Sequence, residues 1–436
     1  MNILVIQMAR MGDIIQSIPL VNDVKKHYPE SNIFLLVNEV FHDCGFLLKD
    51  VSFIPISLGF FIQKKEMKDI LPLPISGISF DIVINLNNST YAKQILDYVV
   101  AEKKMGFGVS DRHSFEWAMY VTSFLKTRHL NSLNLVDIFR RFFSVFYSAN
   151  EGFELENNIM INLAPKKNIA IQCGARNIKR QFSKDNYIDI ATHYLEKGYQ
   201  VNLLGVQNET QTAKEIVKKI GHKNLIDMTG KTDIKKLIHI VYSCERVYTP
   251  DTGTMHLCAF CNTPFTALFY GPAFPFETMG YFKMADVYMP DREIFSCYPC
   301  KDDELCPNNF SCHSFSFQSL YLNKTNNNFI KLCVDRDQIG QVLTPMNEMA
   351  TLWRNFTKMY FFNIDIFDLQ KKHVITQPET RAIIQRELKL WSKIDIKNLE
   401  VARINFYFLK PLIYFNKLSN EKTLIHKSLE FFKSYI

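Results

Sequence analysis

Apolar positions come in short, nearly unbroken runs through the first two thirds of the chain, each followed by a stretch with helical spacing. The runs are NILVIQM, NIFLLVN and DIVINLN, then NIAIQCG, YQVNLLG, RVYTPD and PFTALFYG. Runs of this kind mark parallel strands covered on both faces. The helical stretches between them supply the crossovers of a doubly wound sheet. VIQMARMGDIIQSIPLV, Val5 to Val21, shows one such transition: a strand, then Gly12 and Asp13, then a helical pattern that Pro19 is expected to interrupt.

The pattern restarts at Asn168 after NEGFELENNIMINLAPKK, where charge, Asn, Gly and Pro mix. This predicts a domain of residues 1–160, a second of 161–335 and, where strand signals give way to helical spacing, a helical extension of 336–436. Two βα series of similar size leave a cleft between the carboxyl ends of two sheets. The tail is rich in aromatics, including Trp353, Tyr360, Trp391 and Phe406. Core packing is the simplest reading of their helical spacing; docking onto an acceptor protein, a membrane surface or a second subunit in a homo-oligomer is the alternative.

Composition narrows the class. The chain has 436 residues, 47% hydrophobic and 22% charged, which is globular and suits about two or three domains. The net charge of +7 fits an anionic ligand or an acidic lipid surface and is no nucleic-acid signature. No run reaches the roughly 18 apolar residues of a membrane span, and INFYFLKPLIYFNK is broken by Lys410 and Pro411. MNILVIQMAR lacks the pattern of a signal peptide. The expectation is a cytoplasmic protein with at most peripheral membrane contact.

Two turns carry candidate chemistry. QMARMGD has one glycine where a dinucleotide fingerprint needs three, so no NAD site is expected after the first strand. The plain reading of Asp13 is a helix N-cap. In VYTPDTGTMHLCAFCNTPFTALFYGP a strand runs into Asp251, Thr252, Gly253 and Thr254, then a helix bearing His256. A Thr-Gly-Thr turn opening a helix offers backbone N–H groups, hydroxyls and the helix dipole to a diphosphate. Helix capping by Asp251 and Thr252, with His256 buried and satisfied, is the structural alternative.

These segments, with LLGVQNE, IQCGARNIKRQFSKDNY and the opening MARMGDIIQSIPLVNDVKKHYP, resemble glycosyltransferase family nine, the ADP-heptose:lipopolysaccharide heptosyltransferases, over about residues 1 to 330. The resemblance implies an α/β chain with the GT-B fold: two Rossmann-like domains facing a cleft. It implies an inverting glycosyltransferase that moves heptose, or a related sugar, from an ADP-sugar to a hydroxyl of lipopolysaccharide core or of a protein. It further implies that Asp13, beside Gly12, is the catalytic base, that Asp251, Thr252, Gly253, Thr254 and His256 hold the donor's diphosphate and sugar, and that Glu209 meets its ribose. IKRQFSK replaces the usual Trp-Pro pair by Phe182 and Ser183, leaving Arg180 or Lys179 to neutralise the leaving diphosphate. No catalytic cofactor is expected. A catalytically silent GT-B scaffold used for assembly is the competing class.

Of ten cysteines, four form a C-x2-C-x5-C-x5-C cluster: Cys297, Cys300, Cys306 and Cys312. Four thiolates suit tetrahedral zinc or iron, and all four together would close the site around a structural metal. A branch of the resembled family that glycosylates autotransporters holds iron by four cysteines, which supports this reading; free thiols are the alternative. Cys44, Cys173, Cys244, Cys258, Cys261 and Cys333 are expected to be small buried hydrophobes.

Overall fold

A computed structural model of the 436-residue chain describes residues 1–59, 75, 77–111, 113–115, 117–118, 121–122, 134–147, 167–279, 285–291, 294–295, 297–300, 305–306, 308–321, 328–334, 339–340 and 385. Both expected domain boundaries lie outside these residues, as does the helical extension apart from 339, 340 and 385.

The first unit contains β1 (Asn2–Ile6), α1 (Met11–His27), β2 (Asn32–Asn38), β3 (Val51–Ile56), β4 (Phe80–Asn85), α2 (Thr90–Tyr98), β5 (Ala101–Gly106) and α3 (Leu135–Tyr147). Its parallel sheet has the order β3-β2-β1-β4-β5. The second contains β6 (Asn168–Gln172), α4 (Lys184–Glu196), β7 (Gln200–Leu204), α5 (Thr210–Ile220), β8 (Leu225–Asp227), α6 (Ile234–Ser243), β9 (Arg246–Pro250) and α7 (Gly253–Phe260). It continues with β10 (Phe265–Leu268), α8 (Pro275–Thr278), β11 (Ala285–Pro290), α9 (Phe317–Tyr321), β12 (Phe329–Val334) and β13 (Ile339–Gly340). Its sheet has the order β13-β12-β11-β10-β9-β6-β7-β8, with β12 and β13 antiparallel to their neighbours and the rest parallel.

All seven strands expected from apolar runs are present, each with its ends within three residues of those of its run. The runs did not reveal β3, β5, β8 or β13, which are edge strands and need no continuous apolar sequence, nor the inner β11 and β12. Pro19 does not interrupt α1, which passes through it to His27. Proline forfeits a helical hydrogen bond and crowds the preceding turn. Here Ile14, Ile15, Ile18, Leu20 and Val21 around it are all buried, and that packing holds the helix together.

Strand order reverses between β1 and β4 in the first sheet and between β6 and β9 in the second. Such switch points open crevices at the carboxyl ends of the strands, where ligands bind in open α/β sheets. The two crevices are joined by α1 and α7, which pack on one another. Ile14 and Ile18 of α1 belong to the same continuous apolar cluster as Met255 and Leu257 of α7. Across this junction Gln16 Nε2 donates to the Thr278 carbonyl at 3.1 Å, and the Asn134 side chain donates to the Met279 carbonyl.

Candidate active site

Every candidate outside the cysteine cluster follows a strand at its carboxyl end: Gly12 and Asp13 after β1, Lys179 and Arg180 after β6, Glu209 after β7, and Asp251 to His256 after β9. Asp13 is not the N-cap. Arg10 holds that position, and Asp13, three residues into the helix, reaches back so that its Oδ2 accepts the Arg10 backbone N–H at 3.1 Å. The carboxylate stays half-buried beside the helix start rather than being consumed under it.

The starts of α1 and α7 touch directly. Gly12 is buried, and a Cβ added there would stand 2.6 Å from Cδ2 of His256. A Cβ on Gly253 would run into the Met11 side chain. Both positions need glycine because two helix ends approach each other at backbone distance. Asp13 and the Thr-Gly-Thr turn, 240 residues apart in sequence, therefore sit at one seam.

Charge at the seam is paired. Asp251, 5% exposed, meets Arg180 Nη1 at 2.9 Å through Oδ2, while its Oδ1 accepts the Thr278 hydroxyl at 3.2 Å. His256 Nε2 lies 3.9 Å from Asp251 Oδ1, and its buried Nδ1 has no hydrogen-bond partner among the described residues. Burial pushes this imidazole below its ordinary value, outweighing the upward pull of the Asp251 and Asp13 carboxylates, so the ring is neutral. Capping does not occupy Thr252. It holds the N-cap position of α7 with extended backbone, yet its hydroxyl pairs with that of Thr249 at 3.0 Å and makes no cap bond.

One bridging side chain carries no motif in the sequence. Gln172, buried at the end of β6, accepts the Thr254 hydroxyl at 2.8 Å and donates to Glu209 Oε2 at 3.0 Å. Glu209 Oε2 also accepts the Val206 N–H at 2.9 Å, and Gly174 and Gly205 pack against this carboxylate. Burial raises the Glu209 carboxyl above its ordinary value, opposed by these two hydrogen bonds. A polar residue ending an otherwise apolar strand is the only sequence sign of Gln172. Thr278 and Gln16 gave none.

The four clustered cysteines come together in space. Burial raises the Cys300 thiol to about 11, helped by Cys297 and Cys306 and opposed by the Lys179 ammonium, and raises the Cys312 thiol to about 12, helped by Cys300, Cys297 and Cys306. Asn308 Nδ2 donates to Cys297 Sγ at 3.1 Å and the Phe310 N–H to Cys306 Sγ at 3.2 Å. As placed, no group of three or more His, Cys, Asp or Glu among the described residues has metal-holding geometry. The donor set and its N–H···S bonds nonetheless suit a thiolate-bound ion. Cys44, Cys173, Cys244, Cys258 and Cys261 are buried, as expected; the Cys333 side chain lies outside the described residues.

Two Rossmann-like units that meet at their carboxyl ends, each at its switch point, make the GT-B fold. Residues 75–306 match the model of Glycosyltransferase family 9 (heptosyltransferase). The chain belongs to this family, and it is a glycosyltransferase. It is similar to the lipopolysaccharide core heptosyltransferase OpsX of Haemophilus influenzae, 21% identical over 300 residues that cover 65% of this chain and 82% of the relative. Among solved structures it resembles E. coli heptosyltransferase WaaC with ADP, at 16% identity and a TM-score of 0.54, covering 67% of this chain and 94% of that one. A glycosyl transferase family 9 protein from Veillonella parvula aligns with a TM-score of 0.53 and 17% identity, covering 74% of this chain and 95% of the other. Among the described residues no helix is long and apolar enough to cross a membrane.

Proposed function

We propose that this protein transfers heptose, or a closely related sugar, from an ADP-sugar to an acceptor hydroxyl with inversion at the anomeric carbon. The observation that carries the reading is the contact of Gly12 with His256, which brings the Asp13 carboxylate to the same seam as the Thr252-Gly253-Thr254 turn. A base and a diphosphate cradle side by side are what such a transfer requires.

In this reading Asp13 accepts the proton of the acceptor hydroxyl as its oxygen attacks the anomeric carbon. The bond from that carbon to the diphosphate breaks, and ADP departs with the electron pair. Backbone N–H groups at the start of α7 and the cation of Arg180, or in its place that of Lys179, meet the charge that develops on the leaving group. Glu209, which accepts a hydrogen bond from Gln172, would accept hydrogen bonds from the ribose. No metal takes part in these steps. Cys297, Cys300, Cys306 and Cys312 would hold a structural iron or zinc.

Lipopolysaccharide core is the acceptor favoured by the name of the OpsX relative; a protein hydroxyl is the alternative. Mass spectrometry of the purified protein incubated with ADP-heptose and each acceptor reports donor and acceptor together. Asp13→Asn keeps an oxygen that can accept the Arg10 N–H, so folding should survive while turnover falls about 10²- to 10⁴-fold. Turnover of a folded Asp13→Asn protein at the parental rate would remove Asp13 from the mechanism.

A further inference from the structure

The segment carrying the cysteine cluster presses on the back of the Lys179-Arg180 turn. Gly271, in the loop after β10, has φ +59, and a Cβ there would stand 2.6 Å from Cβ of Lys179 and 2.7 Å from its carbonyl oxygen. The Gly271 carbonyl accepts the Cys300 N–H at 2.9 Å, so one residue touches both the cysteine segment and the cationic turn. His313, next to Cys312, closes the arrangement. Its Nε2 lies 3.0 Å from the Lys179 carbonyl, its ring stacks on Tyr270 with centroids 4.4 Å apart, and Phe310 meets it edge-on at 5.2 Å. A carbonyl only accepts, so Nε2 carries the hydrogen.

We propose that His313 is a positioning residue: by donating to the Lys179 carbonyl it fixes the turn that presents Arg180, and so couples the cysteine-bearing segment to the donor diphosphate. The proposal rests on the assignment of that turn to the diphosphate. The turn is a single 3-10 turn, Ile178–Arg180, capped by the Asn177 side chain on the Lys179 N–H at 3.0 Å. With the N–H and the carbonyl of Lys179 both held, the neighbouring Arg180 leaves from a fixed backbone, while the Lys179 side chain is buried and its charge acts on Cys300. Arg180 then reaches Asp251 at the start of the Thr-Gly-Thr turn.

The test compares His313→Phe, which keeps a ring to stack on Tyr270 but has no donor, with His313→Gln, whose amide nitrogen can take the place of Nε2. His313→Leu serves as a second variant without a donor. ADP affinity by calorimetry, donor and acceptor KM, kcat, melting temperature and metal content per chain are measured for each. Loss of one hydrogen bond is expected to raise ADP Kd and donor KM about three- to tenfold in His313→Phe, with acceptor KM unmoved and with His313→Gln within about twofold of the parent. A merely structural role would lower the melting temperature and kcat without moving donor KM, and that result overturns the proposal. Equal weakening by Phe and Gln overturns it as well. Lys179→Ala and Arg180→Ala test the underlying assignment: if neither weakens ADP binding, the diphosphate contact itself fails and the coupling with it. If they do while the His313 variants bind ADP normally, only the role of His313 is lost.

Discussion

Gly12 is fixed by an approach that lies across the molecule. No turn with positive φ demands glycine there; His256 does, by standing where a side chain would begin. Gly12→Ala forces the junction of α1 and α7 apart or drives His256 off its rotamer, and overpacking of this kind costs about 1–3 kcal/mol. The expected result is a lower melting temperature in thermal denaturation together with reduced transfer activity. Asp13 differs from its neighbour. Its bond to the Arg10 N–H is made within the helix start, so the glycine-then-carboxylate pair has two separate causes, a long-range contact and a local one. A carboxylate after the first strand was legible in the sequence, but its position three residues into the helix was not, because N-cap and third-residue carboxylates differ only in where the first helical bond falls.

At the scale of elements, α7 gathers the site. Its N-cap threonine is free of capping duty, its buried His256 faces Asp251, and Thr254 leads through Gln172 to Glu209 after β7. Gln172→Leu removes both bonds and leaves buried polar partners behind, at a cost of about 1–3 kcal/mol for each group left unsatisfied. Weaker ADP binding in calorimetry and a lower melting temperature should appear together. His256 carries a pH dependence whose sign follows from its burial. The unfolded chain takes up a proton near 6.5, whereas the folded ring does so only at lower pH. Stability is therefore complete above 6.5 and falls as pH drops towards the folded value. Wild type should lose more melting temperature than His256→Gln between about pH 7.5 and about pH 5.5.

For the whole molecule, one ligand drawing on residues after β1, β6, β7 and β9 would bind only the folded arrangement of both units. ADP at about a hundred times its Kd should add about 2.7 kcal/mol to stability, read as a rise in melting temperature. An unchanged melting temperature with saturating ADP would speak against a nucleotide site at the seam. The cysteine cluster answers to elemental analysis of the intact protein. About one iron or zinc per chain is expected, lost on Cys300→Ser or Cys306→Ser.

The sequence by itself determined seven inner strands of the two sheets and the residue types offered for the site. Apolar runs of parallel strands are local and strong, and the Gly-Asp and Asp-Thr-Gly-Thr turns are short motifs whose chemistry survives being read in one dimension. Edge strands escaped because they need less apolar surface, and Pro19 misled because helix integrity there comes from packing. Only the tertiary structure decided which groups meet: Gly12 on His256, Arg180 on Asp251, Gln172 between Thr254 and Glu209, and His313 behind Lys179. Each of these pairs is far apart along the chain, and no local spacing encodes a contact that depends on how a sheet is wound or, for Gly12 and His256, on how two units are pressed together.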